Sequence, residues 1–341
     1  MKPFRHLRTQ LLALLALTAL FAASCERVVE LDVDFQAHLV LNAVPVTDSV
    51  LFANVSYTRY FLDNRQYPAV QGAEASLWAN GAIYTSATNS NGNYFFNYVV
   101  QPGDSLMLTI RVDGHQPLQA ATRVPQRPAV SNLVATIDTA AILPNLTIKF
   151  DLADPAPQRN YYAVTLYQRD SGECWNYYTH ALDTVDTLYA TYFACYDLQL
   201  TSPSVSATEA LLASFYSQLL FSDSLISGTD HSVVLTLFQL PDTSEHPGFI
   251  HQYTLRVESL APDRYRYLSS VAAATSMTSY FAEPAQVYSN VAGGFGIFAG
   301  TARTEFKLDP VYKTDESLDV LAYIKQHKQQ ILNFIKHNRK R

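Results

Sequence analysis

The chain has little charge and little cysteine. Asp, Glu, Lys and Arg make up 16% of 341 residues, and there are 3 Cys. With 22 Tyr and 18 Phe beside so few charges, a solvated disordered chain is excluded and a packed, β-rich one is favoured. An excess of positive charge is missing as well. Against 30 acidic residues stand 24 basic ones, which speaks against a general nucleic-acid binder that must cover phosphates with cations. The one strong apolar block, from Leu11 to Phe21, is too short to span a bilayer. Two common catalytic signatures, G-x-S-x-G and H-E-x-x-H, are absent.

The remaining fragments of familiar chemistry are weak. Gly294-Phe295-Gly296-Ile297-Phe298-Ala299-Gly300 is one residue too long for G-x-G-x-x-G, and no amphipathic helix follows it, so a β-turn between packed strands is expected. His231, His246 and His251, with Glu245, match no metal-ligand spacing and read as scattered loop histidines. Asn89 to Asn93 lacks the acids of a calcium loop and reads as a hairpin turn. Asp151/Asp154 and Asp183/Asp186 lie in turn-like sequence, where solvated or capping roles are expected. No catalytic residue, cofactor or metal is therefore expected, and the chain is not read as an enzyme.

What is present begins at the N-terminus. Lys2, Arg5 and Arg8 precede the apolar block, and Ala22-Ala23-Ser24 then lead into Cys25. A basic start, a short apolar core and small residues before a processing point form a secretory signal peptide. The cysteine directly behind the small residues resembles a bacterial lipobox. Residues 1–24 would be removed and Cys25 acylated; ordinary cleavage with Cys25 a bystander is the alternative. Without residues 1–24 the chain keeps 21 basic and 30 acidic side chains, net −9.

Residues 25–35 form an acidic leader. Short alternating runs follow at His38–Leu41, Leu51–Tyr57, Ala73–Trp78, Tyr94–Phe96 and Leu106–Val112. Asn80-Gly81, Asn91-Gly92, Pro102-Gly103-Asp104 and Asp113-Gly114 separate them with turn chemistry. This pattern predicts an antiparallel β-sandwich over residues 36–124. Pro125 and Pro128 mark a boundary. A second β-rich domain over 125–310 is expected from Leu146–Phe150, Tyr161–Gln168, Ser232–Leu240 and Phe249–Leu260, with a last strand pair within 283–298.

Two helices interrupt this second domain. Ser206 to Glu209 reads as a capping box before Leu211/Leu212, Phe215/Tyr216 and Leu219/Leu220. The other starts at Pro262-Asp263 and runs toward Tyr280. Such helices cover a sheet or wall a pocket. The fold class is thus mostly β: two sandwich domains of immunoglobulin or transthyretin-like type, helical insertions, and a basic amphipathic helix over 311–341. In that tail Leu318, Leu321, Ile324, Ile331, Leu332 and Ile335 share one face. Its own sandwich or a partner is favoured over an anionic membrane as the surface it rests on.

Setting Cys25 aside leaves Cys174 and Cys195, an even pair in an exported chain. They flank two aromatic runs with Asp183-Thr184-Val185-Asp186 as the turn between, so a cross-strand disulfide is expected, with two free thiols the alternative.

Several short pieces now line up in order: Cys25-Glu26, Leu39-Val40-Leu41-Asn42, Tyr67 to Ala73, Gly103-Asp104-Ser105-Leu106 and Val124-Pro125. Asn160-Tyr161-Tyr162, Phe221-Ser222-Asp223, Phe281-Ala282-Glu283-Pro284 and Ser289 to Phe298 continue the series. Together they resemble the domain-of-unknown-function (DUF) 4249 family of Bacteroidota outer-membrane lipoproteins, over roughly residues 25–305. The resemblance implies an outer-membrane lipoprotein anchored through Cys25, working with a TonB-dependent transporter. It implies no catalytic or ligand-binding residue. Glu26, Glu30 and Asp32 behind Cys25 favour the cell-surface face over the periplasmic one. The functional expectation is an accessory or ligand-binding protein. A structural or assembly role in the envelope and a glycan or peptide hydrolase are the alternatives.

Overall fold

The computed structural model describes residues 35–60, 62–138, 145–176, 181–195, 197–200, 215–238, 250–275 and 286–313. The signal peptide, Cys25, Glu245, His246 and residues 314–341 of the tail lie outside the described residues, as do residues 206–214 of the first expected helix and 276–280 of the second.

The first half is built on one sheet of eight strands. Its members in chain order are β1 (Leu39–Ala43), β2 (Val50–Tyr57), β3 (Glu74–Ala79), β4 (Ala82–Ser90), β5 (Asn93–Val99), β6 (Ser105–Arg111) and β7 (Leu118–Arg123), joined by β17 (Phe295–Phe298). The order across the sheet is β17-β1-β2-β5-β4-β3-β6-β7. Each strand turns one side inward. In β6, Leu106, Leu108 and Ile110 are buried while Met107 is 44% exposed. The expected Asn-Gly turns are there, with Asn80, Gly81, Asn91 and Gly92 all at positive φ, the geometry of the tight hairpin turn.

The expected sandwich over residues 36–124 is here a barrel-like sheet. It bends far enough that its ends nearly meet: Gln119 N–H donates to Ala292 O at 3.0 Å, and Ala292 N–H donates to Gln119 O at 2.8 Å. Closure removes the free sheet edges that invite aggregation. One core fills the interior, with Leu41, Val55, Leu77, Tyr94 and Phe96 meeting Phe298 from the far end of the chain.

The second half is a sandwich of two sheets. One runs β11 (Ala181–Thr191), β10 (Tyr161–Asn176), β16 (Ile250–Leu260), β18 (Thr301–Leu308), with β14 (Leu219–Ser222) beside the start of β10. The other runs β13 (Phe215–Tyr216), β12 (Phe193–Ala194), β15 (Asp230–Phe238), β9 (Asn145–Ala153), β8 (Ala129–Asp138), β19 (Val311–Lys313). Ile148, Phe150, Val233 and Leu235 from the second sheet pack on Val164, Leu166, Leu255 and Val257 from the first.

Helix α1 (Pro262–Thr275) starts at the expected proline. Its Tyr265 and Leu268 lie on Ala163, Leu220 and Leu260, and Tyr267 joins Tyr288 over Ala261, Ile297 and Ala299.

Four expectations need correction. Phe215/Tyr216 and Leu219/Leu220 are strand residues, not helix. Leu219 faces the sandwich core while Leu220 faces the α1 cluster, so a strand buried on both sides mimics a helical stripe. The hairpin turn is not at 183–186, because Asp183 to Asp186 pair within β11 against Cys174 to Ser171 of β10. No strand pair lies within the described part of 283–298: Phe295–Phe298, inside the run expected as a β-turn, is the single strand β17, parallel to β1. Finally, the tail expected as helix from residue 311 opens with β19, parallel to β8.

Candidate ligand cleft

The barrel and the sandwich are stitched together where β7 ends and β18 begins. Gly300 N–H donates to Thr122 Oγ1 at 2.9 Å, and Ala261 N–H donates to Gly300 O at 2.9 Å. A Cβ on Gly300 would lie 2.8 Å from Val124 Cα, so only glycine lets the two chains approach this closely. Thr301 N–H donates to Pro45 O at 2.8 Å and Thr47 N–H to Thr301 O at 3.1 Å. Arg127 reaches across, donating to Arg303 O at 2.7 Å and pairing with Asp48.

Two adjoining cavities open at this joint. The first, of about 650 Å³, is mainly apolar, walled by Trp78, Leu106, Met107 and Ala121 of the barrel. Trp78 stands directly opposite Met107, and Met107 opposite Ala121, so the three form one row on the outer face. Trp78 is 40% exposed. The second cavity, of about 630 Å³, runs from Gly103 along the Val124–Ala129 linker to Arg159, Asn160 and Tyr161. Both share Arg123, Ala261 and Pro262. Each lies within the roughly 300–1,000 Å³ range of small-ligand sites.

Charge in this cleft leans positive. Arg123, Arg127 and Arg159 line it against Asp154 and Asp263. Both carboxylates are already engaged. Asp154 is buried and accepts from Tyr162 O–H at 2.6 Å and Gly228 N–H at 3.1 Å. Asp263 accepts from Tyr288 O–H at 2.6 Å and Asn290 Nδ2 at 3.3 Å. Arg123 and Arg159 are exposed, and neither guanidinium has a hydrogen-bond or ion-pair partner among the described residues.

A third cavity of about 560 Å³ lies on the outer face of the five-stranded sheet. Its charges largely satisfy each other: Arg169 pairs with Asp186 at 2.6 Å and Arg256 with Glu305 at 2.7 Å. The Arg256 guanidinium also lies 4.3 Å over the Tyr167 ring. Arginines so occupied offer less to a ligand than those at the joint.

Of the histidines singled out in the sequence, the two among the described residues each face a different carboxylate. His231, on β15, contacts Asp197 at 2.5 Å, and His251, on β16, contacts Asp170 at 2.7 Å. Asp170 also accepts from Tyr189 O–H at 2.7 Å, and burial, aided by that carboxylate, pushes the Tyr189 hydroxyl up to about 12. Among the described residues no group of three His, Cys, Asp or Glu could hold a metal ion. Of the turn carboxylates, Asp151 accepts from Asn132 Nδ2 at 2.7 Å and Asp186 sits in its ion pair, while Asp154 is buried rather than solvated.

The expected disulfide between Cys174 and Cys195 is not formed, and Cys195 is a free, buried thiol. Cys174 stands opposite Asp183 at the far end of the β10–β11 ladder. From Asp183 the eight steps of β11 to Thr191 carry the chain roughly 27 Å away, and four further residues to Cys195 recover at most about 14 Å. A disulfide needs Cα atoms within about 7 Å. Burial pushes the Cys195 thiol up, keeping it protonated. Iodoacetamide should therefore spare Cys195 in the native protein and label it after denaturation without any reductant. Absence of that label would restore the bonded pair.

Trp78, Met107, Arg123, Arg127 and Arg159 went unremarked as a group in the sequence. Their one local signal is that Trp78 and Met107 put large apolar side chains on the solvent side of otherwise alternating strands.

Against known proteins, the domain of unknown function (DUF4249) matches residues 26–307. The chain belongs to this family. No curated protein matches it. Among solved structures, this chain is similar to a candidate carbohydrate binding protein from Bacteroides uniformis ATCC 8492. The two are 10% identical, with 79% of this chain and 98% of that one covered and a TM-score of 0.22. The B domain of a biofilm associated protein is 8% identical, with 84% of this chain and 89% of that one covered and a TM-score of 0.18. Neither likeness is close enough to carry a functional argument.

Proposed function

We propose that this DUF4249 protein is a lipid-anchored outer-membrane accessory that binds a small ligand and works beside a TonB-dependent transporter. It is tethered through Cys25, on the cell-surface side, and is not an enzyme. The observation that carries the binding role is the joint cleft. Apolar and cationic walls there come from strands and loops of both halves, with two guanidinium groups unpaired among the described residues. The anchor is supported by the order of basic, apolar and small residues before Cys25.

The test is a pull-down from solubilised outer membrane using the full chain, with Cys25→Ala in parallel. Wild type should carry an alkyne fatty-acid label and recover a barrel transporter at near-stoichiometric yield. Cys25→Ala should lose the label and retention in the membrane. Equal labelling of both proteins would sink the anchor, and recovery of assembly factors without a transporter would sink the accessory role.

A further inference from the structure

We infer that the joint cleft selects an acidic saccharide, a sugar chain of two or more rings carrying at least one carboxylate. This rests on reading the joint as a ligand cleft. Three walls meet three parts of such a ligand. Trp78 and Met107 form an exposed apolar row, and an indole face packs well on the C–H face of a sugar ring. Gln126 and Gln158 border the second cavity, exposed and without side-chain partners among the described residues, and each amide offers both donors and an acceptor to hydroxyl groups.

Arg123 sits where the two cavities meet and Arg159 at the far side of the second, each guanidinium without a partner among the described residues. A planar guanidinium with free donors matches a carboxylate in fork geometry. Asp154 and Asp263 do not compete for these arginines, because their oxygens already accept hydrogen bonds from Tyr162 and Tyr288. The cleft thus sets three arginines against two carboxylates on a chain whose residues after 24 carry net −9, and its two unpaired guanidinium groups are the ones an incoming anion meets. A neutral sugar would satisfy the apolar and amide walls and leave both guanidinium groups without a counter-charge. A fatty acid would satisfy the arginines and leave the amides unused.

The experiment titrates the detergent-solubilised full-length protein with trigalacturonate and with its fully methyl-esterified form, following tryptophan fluorescence and calorimetric heat. The acid should bind at least tenfold more tightly than the ester, with affinity falling as salt rises. Arg123→Gln and Arg159→Gln should each weaken the acid about tenfold, the loss expected for one charge-assisted contact, and leave the ester unchanged. Trp78→Ala should weaken both. All three positions are exposed, so unchanged melting temperatures should show that the fold is intact.

Equal affinity for acid and ester, indifferent to the arginine variants, would overturn the acidic preference while leaving a binding cleft. No binding of trigalacturonate at millimolar concentration would overturn the inference outright. Recovery of a transporter in the separate pull-down would then show that the accessory role stands without it.

Discussion

Gly296→Ala should unfold at a markedly lower temperature than the parent protein. Gly296 lies in β17 directly opposite Leu41 of β1, at φ +113°, a conformation that L side chains rarely adopt. A Cβ there would lie 2.0 Å from Leu41 O and 2.8 Å from Leu41 C. Leu41 is fully buried in the barrel core, so its backbone has nowhere to go. Relief would require β17 to leave β1, and β17 is the strand whose approach segment bridges to β7 and nearly closes the barrel. Asn290, which donates to Phe298 O at 2.8 Å and accepts from Phe298 N–H at 2.9 Å, would lose its partner as well. Strain and lost packing together should cost about 3 kcal/mol or more, a drop of roughly 6 °C or more in melting temperature. Gly81→Ala is the control: its φ is +93°, but a Cβ meets nothing within 4 Å, so only the local strain of about 1 kcal/mol is expected. Equal melting temperatures for the two variants would refute the close-approach account.

The same residues show how far the sequence could be read. Alternation gave the barrel strands because each has one wet side and one dry side, as Leu106, Leu108 and Ile110 against Met107 illustrate. The Asn-Gly turns and the proline at the start of α1 were legible because their chemistry is local. The Gly-rich run from Gly293 to Gly300 was visible but not its meaning. Its glycines admit β17 and β18 against neighbours more than 150 residues away in the chain, and no local pattern encodes that. The family fragments have the same character. Asp223, from Phe221-Ser222-Asp223, accepts Asn160 N–H at 2.7 Å, so two pieces 63 residues apart are one buried contact. β14 escaped because both its faces are covered, and the disulfide failed because spacing alone does not reveal where a long hairpin turns. The cleft was the least legible feature. Trp78, Arg123 and Arg159 come from three separate segments, and only the joint brings their walls together.

Asp104→Ala should be the most damaging change at a polar position of that joint. Asp104 is 5% exposed, and its carboxylate gathers three donors: Asn80 Nδ2 at 2.7 Å, Tyr98 O–H at 2.6 Å and Gln101 N–H at 2.7 Å. Asn80 in turn accepts Ser105 N–H at 3.1 Å, so this one side chain locks the β3–β4 turn to the 101–105 turn. That second turn carries Gly103 and Ser105, which line the two cavities, and Val124 N–H donates to Asp104 O at 2.8 Å. Alanine strands three donors in a partly buried site, at an expected cost of about 3–4 kcal/mol. Asp104→Asn keeps one acceptor oxygen but presents an amide to the remaining donors, so a cost of about 1–2 kcal/mol is expected. The pH dependence has a definite sign. Burial, aided by Asp104, raises the Tyr98 hydroxyl above its ordinary value of about 10, so the associated stability is fully present below that value and is lost as pH rises through the folded one. The parent protein should therefore weaken steeply in alkali, and Asp104→Ala, already destabilised at neutral pH, should show a shallower alkaline decline. Urea melts at pH 7.5 and pH 10.5 measure both effects. Parallel alkaline losses in parent and variant would show that the Tyr98–Asp104 contact does not hold this side of the cleft.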